Sequence, residues 1–159
     1  MKVYHSTNSK FEKFENAFIG LNDEGYFGRG FYFAEDWQDA KSLQSQAGYR
    51  YFMTCEVSEN LYELDLEDGD NAIDSFPASD EIKSQMREIA EYEGNCFFKS
   101  GAGEGFGLEK LLKEAGFDGV IVRHRFDNSG YTEVAVFDTK DIKITEIEDK
   151  ESEDEESED

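Results

Sequence analysis

Apolar residues follow two different spacings along the chain, and the shorter one predicts seven β-strands. One strand opens the chain and ends near His5, and the others occupy residues 30–34, 49–57, 61–66, 118–124, 131–138 and 142–147. The strand at 131–138 alternates, which places Glu133 on the face of Ala135 and Phe137. Residues 8–25 mix polar and aromatic residues without a clear period, and this predicts a loop, with a single helical turn as the alternative for part of it.

The longer spacing, of three to four residues, predicts three helices. Asp36 caps the first, over roughly residues 37–47, whose inner side carries Trp37, Ala40 and Leu43 or Gln44. Ser79 or Asp80 caps the second, Gly94 ends it, and its apolar stripe comprises Ile82, Met86, Ile89 and Ala90. The third ends at Gly116 and turns inward Leu108, Leu111, Leu112 and Ala115.

Strands and helices do not alternate regularly, so the order predicts an α+β domain rather than a doubly wound parallel sheet. Its sheet is expected to be mixed and mostly antiparallel. The chain has 159 residues, enough for one domain with a real core. We expect residues 1–147 to form that domain, and the charged, apolar-poor residues 148–159 to form a disordered acidic tail.

The chain is strongly acidic, with 38 acidic and 16 basic residues and a net charge of −22. Residues 146–159 contain ten acidic residues and one lysine, so this stretch carries −9 and the body −13. Such a body repels phosphate backbones and favours basic partners, although solubility is the simpler explanation of the charge. Nucleic acid is therefore the less favoured partner.

Neither a membrane span nor a signal peptide is predicted, because no apolar run approaches about 20 residues and no apolar leader is present. Cys55 and Cys96 predict two reduced thiols rather than a disulfide, which suits the cytoplasm. No residues have the spacing of a zinc site, so no metal is expected. A monomer is the default expectation.

Three polar residues occupy strand positions where chemistry is possible: His5, Tyr32 and Glu133. Taken singly, each residue type is more often structural, as a hydrogen-bonded histidine, a packed tyrosine or a solvated glutamate. Two glycine-rich stretches, GYFGRG at 25–30 and GAGEGFG at 101–107, lack the context of phosphate-binding loops. The candidate chemistry therefore depends on the three residues acting together.

The segments around these residues resemble the motifs of the ADP-ribosyltransferase superfamily, in the branch named for its His, Tyr and Glu. YHST resembles the first motif, GRGFYFAED the glycine–tyrosine stretch of poly(ADP-ribose) polymerases, and YTEVAVFDTKDIKI the strand that carries their glutamate. The segment LLKEAGFDGVIVRHRFDNSGYTEVAVFDTKDIKI looks still more like ADP-ribosyltransferase domains of phage polyvalent proteins. The resemblance spans about residues 3–147 and implies a split, mostly antiparallel sheet with flanking helices.

The resemblance implies that NAD is the co-substrate and that Glu133 stabilises the oxocarbenium-like cation formed when the nicotinamide–ribose bond breaks. It implies that His5 hydrogen-bonds the adenine-side ribose and that Tyr32 stacks on the nicotinamide ring. The backbone of Ser6, which replaces the usual glycine, is expected to hold the nicotinamide amide, and Thr7 to lie near a ribose.

Further positions are implied to bind NAD. Gly28 and Gly30 let the backbone approach the dinucleotide, and Arg29 either meets the pyrophosphate or is solvated. Ala40 replaces a polymerase serine that donates to the nicotinamide amide. Leu43 replaces a second stacking tyrosine, whose place is open to Trp37, Tyr49 or Tyr51.

Tyr131 stands two residues before Glu133, where the arginine-modifying branch carries an acidic residue, so the resemblance argues against an arginine acceptor. The small body argues against polymer synthesis. We therefore expect mono-ADP-ribosylation of a macromolecule, a protein in the first instance, by a phage or bacterial effector acting on a host or defence factor. An NAD glycohydrolase, a nucleic-acid ADP-ribosyltransferase and an inactive acidic binding or decoy protein stay open as alternatives.

Overall fold

Seven strands form one sheet among the residues that the structure, a computed structural model, describes: 1–8, 10, 14, 30–69, 71–93, 97–98, 106–124 and 131–151. The strands are β1 Lys2–Thr7, β2 Phe31–Ala34, β3 Tyr51–Val57, β4 Leu61–Asp65, β5 Gly119–Arg123, β6 Glu133–Val136 and β7 Ile142–Asp149. Their order in the sheet is β4-β5-β6-β2-β1-β3-β7. Of the strand pairs in the described part of the chain, only β4 and β5 are parallel, which confirms the mixed, mostly antiparallel sheet.

The described helices are α1 Trp37–Ala47, α2 Asn71–Ser75, α3 Asp80–Glu93 and α4 Leu108–Glu114. Asp36 caps α1 as predicted, since its side chain accepts from the Asp39 amide at 2.9 Å. For α3 the capping side chain is that of Ser79, whose hydroxyl oxygen lies 3.2 Å from the Ile82 amide. The short helix α2 has no apolar period long enough to predict it from the sequence.

Both faces of the sheet carry buried apolar clusters. One face packs against α2, α3 and α4 through a cluster that includes Met86, Leu112 and Val122. Farther along the same face, Ala40 of α1 packs with Ala34 and Phe52. The opposite face carries a second cluster, which contains Val3, Phe14, Phe33, Met53, Cys55, Val134 and Val136.

Two glycines define the entry into β5. Gly116 has a positive φ of 95° and follows the last turn of α4, as the predicted helix stop requires. A Cβ built on Gly119 would lie 2.3 Å from the Ala135 carbonyl oxygen and 2.8 Å from Leu61 Cδ2. Only glycine therefore fits where β5 begins between β4 and β6.

Several expectations differ from the structure. The folded part does not stop at residue 147, because β7 continues to Asp149 and pairs there with β3. Two ion pairs hold this end: Lys41 Nζ lies 2.5 Å from Glu148 Oε2, and the Arg50 guanidinium donates twice to Asp149 at 2.9 Å. Composition alone therefore placed the start of the tail too early.

Three apolar residues that were predicted to lie on the core-facing sides of helices are instead accessible to solvent: Trp37, Leu43 and Ala115. Gln44 is buried where Leu43 was the alternative, because Ala40 and Gln44 are four residues apart and share one face of α1. Cys55 is buried and free, as expected. The predicted helix end at Gly94, the DNSG turn, Cys96 and most of the loop at 8–25 lie outside the described residues.

Candidate active site

The strands that carry the three motifs are neighbours in the sheet, in the order β6-β2-β1. Ala34 of β2 lies opposite Glu133 of β6 on one side and opposite Tyr4 of β1 on the other. His5 and Tyr32 each stand within two residues of these pairs. Because adjacent strands are about 4.8 Å apart, the sheet brings together residues from opposite ends of the chain.

Between β1 and β2 the sheet opens. Among the described residues, Tyr4 opposite Ala34 is their one register pair, although β1 continues to Thr7 and β2 begins at Phe31. β1 meanwhile pairs with β3 along all six of its residues. The two strands thus separate toward the end of β1 and the start of β2, as a split sheet requires.

The His5 imidazole bridges this opening. Its Nδ1 lies 3.1 Å from the backbone oxygen of Tyr32, and the ring packs edge-on against Phe14 and Phe33, with centroids 5.4 and 5.7 Å away. A carbonyl oxygen can only accept, so Nδ1 carries the hydrogen. In the neutral ring Nε2 is then an acceptor, suited to a hydroxyl such as that of a ribose.

Tyr32 and Glu133 lie on one face of the sheet. Tyr32 stands opposite Ala135, two residues from Glu133, so the pair are diagonal neighbours with Cα atoms on the order of 7–8 Å apart. Both are partly buried. Phe31 and Phe33 pack on the opposite face, which confirms that the phenylalanines and Tyr32 point in opposite directions.

His5 does not share that face. Alternation along β1 places it with Val3, and it packs among the aromatic residues of the opposite cluster. It meets Tyr32 through the main chain rather than through the ring. A ligand in contact with His5, Tyr32 and Glu133 must therefore reach across the opening between β1 and β2.

On its face of the sheet, Glu133 lies between the cluster under α2, α3 and α4 and the cluster that contains Ala40 of α1. Tyr32 packs against the cluster under α2–α4, whereas Tyr131 packs against the α1 cluster with Ala34. The Glu35 amide donates to the Thr132 carbonyl at 3.2 Å, which joins the start of α1 to the residue before Glu133. Glu133 thus stands on the sheet between the cluster under α2–α4 and the α1 cluster, with the backbone on its N-terminal side tied to the start of α1.

The remaining predicted residues have different surroundings. Ser6 and Thr7 are partly buried at the end of β1, where it diverges from β2. Ala40 is buried within the α1 cluster, only 3% exposed. Gly28 and Arg29 lie outside the described residues, so their roles stay predictions.

The fold favours glycine at position 30 for a reason that the sequence did not indicate. A Cβ at this position would lie 3.0 Å from the Val136 carbonyl oxygen and 3.5 Å from the Phe137 ring. The close approach that favours glycine is therefore to β6 and the residue that follows it. Contact between Gly30 and a dinucleotide stays a prediction.

Among the candidates for a second stacking ring, Trp37 is the most accessible. Its side chain is 50% exposed at the start of α1, and its ring lies edge-on to Phe52 at 6.5 Å. Lys41 Nζ lies 5.5 Å from the Trp37 ring centre. Tyr51, by contrast, is 8% exposed and lies under the Arg50 guanidinium at 5.0 Å.

A cavity of about 370 Å³ lies elsewhere, at the β7 edge of the sheet. It is lined by Lys10, Tyr51, Ile144, Thr145, Glu146, Ile147 and Asp149. None of the three motif residues contributes to it, and β3 separates its β7 wall from β1. The candidate site therefore depends on strand placement, not on this cavity.

Comparisons with known proteins identify the family of the chain. The chain matches, over residues 1–152, the sequence family described as ADP-ribosyltransferase in polyvalent proteins. No curated protein matches it. A solved structure described as an anti-CRISPR protein is similar at 16% identity and a TM-score of 0.44, covering 91% of this chain and 95% of that one. Within the described residues, no helix has the length and apolarity to cross a membrane.

Proposed function

We propose that this chain, which belongs to the family of ADP-ribosyltransferase domains of polyvalent proteins, transfers one ADP-ribose unit from NAD to a protein acceptor. The family supplies the class of reaction. One observation supports the finer proposal: His5, Tyr32 and Glu133 come from distant segments to three adjacent strands, around the opening between β1 and β2.

The residues at this opening fit a dinucleotide with two ribose groups and a flat nicotinamide ring. His5 offers an acceptor at Nε2, because its other ring nitrogen donates to the Tyr32 carbonyl. The Tyr32 ring offers an aromatic surface, and stacking contributes about 1 kcal/mol beyond burial. Glu133 offers a carboxylate on the same face as that ring.

The reaction breaks the bond between the nicotinamide nitrogen and the ribose C1′ atom, and the bonding electrons leave with nicotinamide. Positive charge then develops on the ribose, and a carboxylate in a partly buried position stabilises it more strongly than water does. Glu133 has this role. A nucleophile of the acceptor forms the new bond to C1′, and its proton passes to Glu133 or to solvent.

We propose that the target is a protein with a basic surface and that its acceptor residue is not an arginine. The net charge of −22 attracts basic surfaces and repels phosphate backbones. Tyr131, not an acidic residue, stands two positions before Glu133 and packs against the α1 cluster. As the setting we propose a bacterial cytoplasm, where a phage or bacterial effector modifies a host or defence factor.

The test is incubation of the protein with NAD labelled in its adenine moiety and a bacterial lysate. Label on protein supports the proposal, and mass spectrometry then identifies the acceptor residue. Free ADP-ribose alone indicates a glycohydrolase, and label on nucleic acid indicates the other transferase class. If neither NAD consumption nor transfer occurs, an inactive binding protein is the better description.

Variants test the residue roles. Glu133→Gln should lower transfer by roughly 10²–10³-fold, the scale of a lost charge-stabilising group. Glu146→Gln is the matched control, because Glu146 is an exposed glutamate on the edge strand β7. Equal activity of the two variants would remove Glu133 from the mechanism.

Tyr32→Ala should weaken NAD binding about fivefold, whereas Tyr32→Phe should retain it because the ring remains. Tyr92→Ala is the control, since Tyr92 is 90% exposed on α3. An NAD affinity of Tyr32→Ala that equals that of the control would contradict the stacking role.

A further inference from the structure

Three potential metal ligands meet at the ends of β4 and β5, away from the three motif residues. These are the parallel strands of the sheet, so their carboxyl ends reach the same edge, with Asp65 opposite Arg123. Glu67 follows Asp65 within two residues, and His124 comes directly after Arg123. Ligand atoms of Asp65, Glu67 and His124 lie within 4.8 Å of one another.

One carboxylate oxygen of Asp65 contacts both other residues of this cluster. Asp65 Oδ1 accepts from the Glu67 amide at 3.0 Å and lies 2.7 Å from His124 Nδ1. The first contact begins the short 3-10 helix Leu66–Asp68 and thereby positions Glu67. In the second contact Nδ1 is the donor to the carboxylate, which leaves Nε2 of the neutral ring as a lone-pair ligand.

The ligand atom of His124 faces Glu67. Nε2 lies 3.6 Å from Glu67 Oε1. A cation about 2.0–2.1 Å from both atoms would subtend an angle of about 120° between them, close to tetrahedral. A carboxylate that accepts from the other ring nitrogen is the arrangement by which proteins orient a metal-binding imidazole. Asp65 has this position, and the Glu67 carboxylate offers a second ligand in front of the ring.

The backbone also supports this orientation. Among the described residues, His124 is the one residue other than glycine with a positive φ, 57°. That conformation costs free energy for a residue with a side chain, and neighbouring contacts must maintain it. Here the contact is the 2.7 Å hydrogen bond to Asp65.

The local charge is negative and leaves the cluster suited to a cation. Arg123, the residue before His124, is paired with Glu63 at 2.7 Å. With a neutral imidazole, the two carboxylates of Asp65 and Glu67 leave the local charge negative. His124 is 37% exposed in its side chain, so a solvated ion can reach it.

We propose that His124 Nε2 and the Glu67 carboxylate bind a divalent cation of the zinc class, with Asp65 as the residue that orients both ligands. An imidazole beside a carboxylate favours Zn²⁺ and similar transition-metal ions over Mg²⁺, which prefers oxygen ligands. Water completes the coordination. The site joins the ends of β4 and β5 and is independent of the proposed transferase activity.

The test uses the fact that the chain has two histidines, His5 and His124. Nuclear magnetic resonance resolves the ring signals of each, and Zn²⁺ is titrated into the full chain at pH 7.5. The His124 signals should shift and saturate near one equivalent of Zn²⁺, while those of His5 stay in place and Mg²⁺ changes neither. No shift at His124, or equal shifts at both rings, would overturn the proposal.

Variants separate the ligands from the orienting residue. His124→Gln and Glu67→Gln should each weaken Zn²⁺ affinity at least tenfold in calorimetric titration, and Asp65→Asn by about 10- to 100-fold. Glu146→Gln is the matched control and should bind Zn²⁺ as the native chain does, because Glu146 is an exposed glutamate on β7. Unchanged affinity in His124→Gln with an intact circular dichroism spectrum would also refute the site, because the ion would then bind elsewhere on the acidic surface.

Discussion

Replacing Gly119 by alanine tests the sheet geometry on which the candidate site depends. Gly119 begins β5 between β4 and β6, and a Cβ there would lie 2.3 Å from the Ala135 carbonyl oxygen. Real Cβ atoms do not approach other atoms within 3.0 Å, so β5 and β6 must separate locally by at least the difference, 0.7 Å. Ala135 is the residue opposite Tyr32, so this shift also disturbs the candidate site.

The loss of unfolding free energy in Gly119→Ala can be estimated from the strand pairs that the added methyl group disturbs. β5 shares five register pairs with β4 and four with β6, so it cannot leave one neighbour without pressing on the other. Overpacking costs about 1–3 kcal/mol, and one weakened ladder hydrogen bond about 1 kcal/mol more. We therefore expect Gly119→Ala to lose roughly 2–4 kcal/mol of unfolding free energy, or about 10 °C in Tm.

Urea unfolding, followed by circular dichroism and by the fluorescence of the single tryptophan, Trp37, measures this loss. Gly30→Ala is the matched control, because its Cβ would lie 3.0 Å from the carbonyl oxygen of Val136, the next carbonyl along β6. At that limit we expect a loss of about 1 kcal/mol or less. A Gly119→Ala chain no less stable than the Gly30→Ala chain would refute the packing of β5 against β6.

Three further predictions concern single side chains. Burial raises the pKa of the Cys55 thiol to about 12, so alkylation of Cys55 at pH 8 should be far slower in the folded chain than in urea, as peptide mass spectrometry can measure. Burial, together with the charge of Asp118, raises the pKa of the Asp141 carboxyl. A carboxyl whose pKa is raised in the folded state stabilises the fold at low pH, and this stabilisation is lost as pH rises through the folded-state pKa. Asp141→Asn should thus raise Tm at pH 7 but not at pH 3, and an equal effect at both would contradict the assignment. Arg50→Gln removes the two hydrogen bonds to Asp149, so amide hydrogen exchange should accelerate at the end of β7 and stay unchanged in β1.

The local elements were predictable because each depends on nearby residues. The helix α3 has an apolar stripe and a serine cap, and both appear in the structure as the sequence indicates. Alternation likewise separates Tyr32 from Phe31 and Phe33, because side chains on a strand point to opposite faces in turn. The motif residues could be identified for the same reason: each motif is a short run of adjacent residues.

The end of β7 shows where local reasoning fails. Glu148 and Asp149 lie in a segment whose composition is typical of a disordered tail. In the fold they pair with β3 and are neutralised by Lys41 and Arg50, which are about 100 residues away in sequence. Composition measures the charge of a segment but not the partners that compensate for it.

The sequence by itself determined the seven strands, the three longer helices, most of the residues that turn toward the core, and the three polar residues that belong to a known family's motifs. Tertiary structure decided the strand order that makes β6, β2 and β1 neighbours, the separation of β1 from β2, and the opposite face taken by His5. It also decided the meeting of Asp65, Glu67 and His124. The physical reason is that periodicity specifies the face of a residue within its own element, whereas neighbours across a sheet depend on long-range hydrogen-bonded pairing that no local pattern encodes.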